Sequence, residues 1–176
     1  IGNHNLSNIK AAIEVVRLFN VSDNIIKKAV NNFKGLPHRL EYIGEFKGIK
    51  FYDDAISTTP ESTIAAIKTL SNTATIFLGG EDRGYNFNEL EKVLRKSNIK
   101  NIVLFPDSGR RILKSQKGFK ILETNNLKEA VDFAFKNTPR GKICLLSMAS
   151  PSYSLWKNFE EKGDSFKFFV KKYGKF

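Results

Sequence analysis

The sequence has a single cysteine, Cys144, and two histidines, His4 and His38. One cysteine cannot close an intrachain disulfide, and two distant histidines cannot complete a zinc site with it. No apolar run approaches the roughly 20 residues that cross a bilayer. The opening segment IGNHNLSNIK has neither the basic start nor the apolar core of a signal peptide. The expectation is a soluble, cytoplasmic protein with no structural metal and no contact with membrane. A GxxxxGK[ST] phosphate loop, an internal repeat and a low-complexity linker are also missing. Acidic residues are in deficit, with 18 Asp and Glu against 29 Lys and Arg and a net charge of +11. That balance favours anionic partners, nucleotides and nucleic acid among them.

What is present suffices for one compact domain: 176 residues, 41% hydrophobic, with 15 Phe. Ser7 and Ser22 read as caps of two short helices, with apolar positions at Ile9, Ile13, Val16 and Phe19 and at Ile25, Ile26, Ala29, Val30 and Phe33. Gly35 and Pro37 break this helical hairpin, so residues 1–36 read as separate from 37–176. A β-hairpin follows at 40–46 and 49–53, turning at Lys47-Gly48. Thr59 then caps a helix opening on Pro60. From there strands at 74–78, 101–105, 119–122 and 142–147 alternate with helices at 87–96, 108–115, 127–136 and 155–173. Continuous apolar strands in such alternation imply a doubly wound α/β fold, a mainly parallel sheet covered on both faces. Ligands of such sheets bind beyond the carboxyl ends of the strands. The loops at 53–59, 79–85, 105–109 and 147–154 are therefore expected on one rim.

Those loops hold the unusual residues. Asp53-Asp54 ends a strand, and Ser57, Thr58 and Thr59 precede a helix N-terminus, which favours an anion. Gly79-Gly80 permits close backbone approach, and Arg83 nearby suits a carboxylate or phosphate. Ser147 to Ser154 offers hydroxyls ahead of the last helix, whose Trp156 and Phe159 read as core. His38, in a loop, reads as solvated. Cys144, inside an apolar strand, reads as core, and Lys167, Lys171, Lys172 and Lys175 read as a solvated helix end.

In order and spacing, several segments together resemble the C-terminal region of the Mur ligase family, in its D-glutamate-adding branch. They are Gly2-x-His4-Asn5-x-x-Asn8, Gly35-Leu36-Pro37-His38-Arg39, the Asp54 loop with Ser62-Thr63, Leu78-Gly79-Gly80, and Ser152 through Lys157-Asn158-Phe159-Glu160-x-x-Gly163-x-x-Phe166. The resemblance implies ATP-dependent amide ligation, in which a substrate carboxylate becomes an acyl phosphate and an amino acid attacks it. ATP, magnesium, D-glutamate and UDP-N-acetylmuramoyl-L-alanine would be its partners. Asn5 and Asn8 would contact adenine, Asp54 the ribose, and His38 and Arg39 the phosphates as the catalytic pair. Thr58, Arg83, Ser152, Tyr153 and Phe159 would surround the incoming amino acid. No metal ligand is carried over. Ile56 and Arg83 stand where the family has lysines, and Ser147-Met148-Ala149-Ser150-Pro151 departs from its Ser-Pro-Ala-x-Ala. The phosphate loop and magnesium ligands would lie upstream of Ile1, so residues 1–36 are expected to be the end of a central ATP-binding domain and the chain inactive alone. The alternatives are another amino-acid ligase of Mur or folylpolyglutamate type and a basic nucleic-acid-binding Rossmann-like module. The last is disfavoured because the aromatics are spaced as core.

Overall fold

The computed structural model describes residues 3–175, with side chains from Leu6 onward. It divides at Leu36/Pro37 into two compact units. The first holds α1 (Asn3–Arg17) and α2 (Asp23–Asn32). Ser7 lies inside α1 instead of capping it, and Ser22 occupies the N-cap position of α2 without a side-chain cap bond. At the turn between the helices, Arg17 reaches Glu14 at 3.3 Å and Asp23 at 3.2 Å. Leu18 and Phe19 are 81% and 77% exposed.

The second unit opens on the hairpin β1 (Glu41–Phe46) and β2 (Ile49–Asp53), followed by α3 (Pro60–Thr69) and β3 (Thr73–Gly79). Then come α4 (Asn88–Lys96), β4 (Asn101–Phe105), α5 (Gly109–Ile112), β5 (Lys120–Glu123), α6 (Leu127–Asn137), β6 (Ile143–Leu146) and α7 (Phe159–Gly174). The six strands form one sheet in the order β1-β2-β6-β3-β4-β5, parallel except for the β1–β2 pair.

Alternation along the central strands sends side chains to two cores. Phe77, Val103, Phe105, Cys144 and Leu146 join Phe51 and the buried faces of α6 and α7. Ile76, Leu78, Ile102, Leu104 and Leu145 join α3, α4 and α5 on the other side. Cys144 is fully buried, and burial pushes its thiol well up, so it is inert core.

Two helices differ from their sequence patterns. α5 is four residues long, because the chain turns away after Ile112 into the bend preceding β5. α7 starts at Phe159, because the Asn158 side chain accepts the Glu161 N–H at 2.8 Å and fixes the N-cap there. α3 begins as its sequence indicates: Thr59 and Ser62 form a reciprocal capping box ahead of Pro60.

Candidate functional site

The carboxyl ends of β2, β6, β3 and β4 meet on one edge, and hydrogen bonds join their loops. Asp54 N–H donates to Leu146 O at 2.8 Å, Gly79 N–H to Met148 O at 2.8 Å and Glu81 N–H to Pro151 O at 2.9 Å. Asp107 and Ser108 N–H both donate to Gly80 O, and the Ser108 and Ser150 hydroxyls are 2.7 Å apart. The glycine pair is required by this closeness. A Cβ on Gly79 would lie 2.1 Å from Phe105 O, and one on Gly80 2.2 Å from Pro151 O, at φ of +110° and +131°.

Where β2 ends, two adjacent carboxylates are buried and tie down different segments. Asp53 accepts from the Ala55 N–H at 2.9 Å and pairs with His38 Nδ1 at 2.8 Å. Burial raises its carboxyl, against the lowering effect of the His38 and Ala55 bonds. Asp54 accepts from Ser57 Oγ at 2.5 Å, Ser147 Oγ at 2.8 Å and the Leu40 N–H at 3.2 Å. Burial still pushes its carboxyl up to about 6.

His38 sits at φ +60°. Its N–H donates to Glu41 Oε2 at 2.9 Å, and its ring is edge-on to Phe159 with centroids 5.9 Å apart. The residue is 6% exposed, so this histidine is buried and partnered where a solvated one was expected; the Asp53 carboxylate draws it in. Lys167 likewise leaves the solvated cluster, lying 3.2 Å from Glu41, 3.2 Å from Asp164 and 4.0 Å from Asp53. Burial works against both charges of the Glu41–Lys167 pair, yet the His38 N–H and the Lys167 ammonium together lower the Glu41 carboxyl, and the bonds to Glu41 and Asp164 raise the ammonium. His38, Glu41 and Asp53 place ligand atoms within 4.8 Å of one another, as a metal site requires. The Lys167 ammonium already serves as their cation.

A second group forms at β3 and the segment before α7. The Arg83 guanidinium lies 5.9 Å from the Tyr153 ring centroid and 3.1 Å from Glu81. Ser152 Oγ, next in the chain to Tyr153, is buried with no partner among the described residues. Trp156 packs edge-on against Phe105 at 5.5 Å.

The structure thus joins His38 to Phe159, and Arg83 to Tyr153 and the Ser152 segment. Arg39 and Thr58 are half-buried with no side-chain hydrogen bond among the described residues. Asn8 is exposed on α1, and the Asn5 side chain lies outside the described residues. Asp54, expected at a ribose, is 2% exposed, and its bonds hold the loop inward. Lys162 was missed: it is fully buried on α7, where the signal was a lysine within the apolar stripe of Phe159, Phe166 and Val170. Two open clefts, of about 430 and 310 Å3, lie along the rim beside Arg110–Glu123 and Arg111, clear of His38 and Ser152.

A mainly parallel sheet sandwiched by helices, with hydroxyls, an arginine paired to Glu81 and buried carboxylates on its carboxyl rim, defines a doubly wound α/β domain. Residues 38–149 match the family model described as "Mur ligase, glutamate ligase domain", and the chain belongs to that family. It is 34% identical over 171 residues to the UDP-N-acetylmuramoylalanine--D-glutamate ligase of Thermoanaerobacter sp. (strain X514), covering 94% of this chain and 37% of the relative. The Enterococcus hirae enzyme of that name is 36% identical over 169 residues, covering 94% and 36%. The chain therefore spans about a third of the length of these relatives. Among solved structures, MurF ligase from Thermotoga maritima in complex with ADP covers 98% of this chain, and the chain covers 40% of it, with a TM-score of 0.70 at 18% identity. That likeness shows a shared fold.

Proposed function

We propose that this chain is the amino-acid-binding part of an ATP-dependent ligase that adds D-glutamate to UDP-N-acetylmuramoyl-L-alanine in the cytoplasm. The observation that carries the reading is the Arg83–Tyr153 pair next to Ser152, whose hydroxyl has no partner among the described residues, in a chain 34–36% identical to D-glutamate ligases along 94% of its length. A guanidinium grips a carboxylate in two-point fashion, and an orphaned buried hydroxyl is ready to bond a ligand. D-glutamate, with two carboxylates, supplies both partners. Thr58 and Phe159 complete the surround.

In the reaction, the γ-phosphoryl group passes from ATP to the carboxylate oxygen of the nucleotide-sugar substrate, releasing ADP. The D-glutamate amine then attacks the carbonyl carbon, phosphate leaves, and the nitrogen loses a proton. The half-buried Arg39 guanidinium, with no side-chain hydrogen bond among the described residues, suits the phosphates. His38, locked by Asp53 and Glu41, fixes the backbone beside it. Asn5 and Asn8 are assigned to adenine, and Asp54 to holding the Ser57–Thr58 loop. Magnesium supplies charge neutralisation to such a transfer. Its ligands are assigned to the remainder of the enzyme, since the His38, Glu41 and Asp53 cluster is already served by Lys167. Residues 1–36 are assigned to the end of the ATP-binding domain; their separate compaction and exposed Leu18 and Phe19 support this.

The test is an amide NMR titration of the chain with D-glutamate, against L-glutamate, D-alanine and a random oligonucleotide. Selective shifts with D-glutamate at Thr58, Arg83, Ser152 and Phe159 are expected. An equal response to L-glutamate, or a response to the oligonucleotide alone, would overturn the assignment.

A further inference from the structure

Arg39 sits between two residues whose backbone takes a shape that side-chain-bearing residues seldom adopt. His38 and Leu40 lie at φ +60° and +46°, in the left-handed region. A turn of that kind is not kept unaided, so it must be fastened from outside. Three bonds do this: the His38 N–H donates to Glu41 Oε2 at 2.9 Å, the Leu40 N–H to Asp54 Oδ1 at 3.2 Å, and the His38 carbonyl accepts from the Ile56 N–H at 3.2 Å. Asp54 is steadied in turn by the Ser57 and Ser147 hydroxyls. Glu41 lies on the edge strand β1 and is only half-buried, and its steadying comes from elsewhere. The same Oε2 that accepts the His38 N–H also accepts from Lys167 Nζ at 3.2 Å.

On α7, Lys167 belongs to a stripe. Phe159, Gly163 and Lys167 recur every four residues and so share one face of the helix. That face seats the turn along its length. Phe159 meets the His38 ring edge-on with centroids 5.9 Å apart, and Gly163 leaves so little room that a Cβ would lie 2.2 Å from His38 Nδ1. One helical turn further on, Lys167 Nζ lies 3.2 Å from Glu41, 3.2 Å from Asp164 and 4.0 Å from Asp53. Three carboxylates thus converge on one ammonium, whose side chain is 18% exposed, and a part-buried network of this kind is screened less than an exposed pair. Of the three, Glu41 is the one that bonds the backbone of the turn.

We propose that Lys167 is a positioning residue for Arg39: by holding the Glu41 carboxylate against the His38 N–H, it keeps the 38–40 turn in its left-handed shape and Arg39 presented to the phosphates. The consequence for ATP rests on the ligase reading, whereas the fastening of the turn rests on the contacts alone. Without the ammonium, the Glu41 side chain turns towards water, and the His38 N–H loses a charge-assisted acceptor. The turn then samples other conformations, and Arg39 is no longer pre-set. Because the fastening runs through α7, the helix that opens at Phe159 in the amino-acid arm also sets the phosphate arm.

The experiment has two readouts. In the chain itself, amide hydrogen exchange followed by NMR reads the turn. Lys167→Met is expected to speed exchange at His38 about tenfold, with Leu40 following, while Phe77 in β3 keeps its rate. Glu41→Gln keeps an oxygen for the His38 N–H but no charge for the ammonium, so it should speed His38 to a similar degree. Adding Lys167→Met to Glu41→Gln should then change little, because both act through one contact. In the full-length ligase, Lys167→Met is expected to raise the KM for ATP about tenfold and leave that for D-glutamate nearly unchanged, with Lys167→Arg recovering most of the loss. Unchanged His38 exchange in a folded Lys167→Met chain would overturn the proposal, as would additive effects in the double variant or a D-glutamate KM that rises as much as that for ATP. Should Lys167→Met fail to fold, the His38 amide in Glu41→Gln decides by the same criterion. A wild-type ligase without D-glutamate activity would refute the proposed function instead, leaving the exchange data to decide the role of Lys167.

Discussion

Gly163→Ala separates helix propensity from site geometry, because the two push in opposite directions. In the middle of a helix, alanine in place of glycine ordinarily stabilises by about 1 kcal/mol. Gly163, however, faces the His38–Asp53 pair: a Cβ there would lie 2.2 Å from His38 Nδ1 and 2.6 Å from Asp53 Oδ2. Ordinary contact begins at 3.4 Å, so the imidazole must retreat by about 1.2 Å. Its bond to Asp53 is only 2.8 Å long, and that movement breaks it. Asp53 then loses its main partner while remaining fully buried, a loss of about 3–5 kcal/mol for a buried pair deprived of one member. The net expectation is destabilisation by about 2–4 kcal/mol. Trp156 is the only tryptophan and lies in the α/β unit, so its fluorescence through a urea titration reports the unfolding of that unit. A variant as stable as the wild type, or more so, would show that α7 does not press on this pair.

Further outcomes follow from the same geometry. Gly80→Ala places a Cβ 2.2 Å from Pro151 O at an unfavourable φ, and a loss above about 2 kcal/mol is expected in the same urea titration. Arg83→Ala in the full-length ligase should raise the D-glutamate KM about tenfold or more and leave that for ATP nearly unchanged, whereas Arg39→Ala should do the reverse; steady-state kinetics separates the two. Stability should also follow pH in two opposite steps. Asp54 binds its proton more tightly folded than unfolded, so its share, about 3 kcal/mol, is lost as pH rises from about 4 to 6. Lys162 holds its proton less tightly when folded, so stability returns as pH rises from about 7 towards 10. Thermal unfolding across that range checks both steps, and Asp54→Asn should flatten the acid one.

The sheet was readable because its strands are near-continuous apolar runs and its turns carry Gly, Pro and capping residues at the positions that end elements. Thr59-Pro60 and Lys47-Gly48 each act through neighbours in the chain, and local chemistry of that kind is visible in a sequence. The rim was readable for the same reason, since the parallel order of β2, β6, β3 and β4 puts their loops together. What escaped depends on partners far apart in the chain. His38 is buried by a carboxylate 15 residues away, Lys167 is drawn to Glu41 across 126, and Asp54 is bound by Ser147 across 93. No local pattern marks such pairings. Lys162 escaped because helical spacing identifies a buried face but not the charge that a buried face tolerates.

The central claim is the amino acid delivered by this rim, and incorporation of labelled D-glutamate by the full-length ligase tests it most directly. With ATP and UDP-N-acetylmuramoyl-L-alanine present, the expected result is one D-glutamate joined per ADP released, with L-glutamate excluded and Arg83→Ala crippled at low D-glutamate. Ligation of a different amino acid in preference to D-glutamate, or incorporation indifferent to Arg83→Ala, would contradict it.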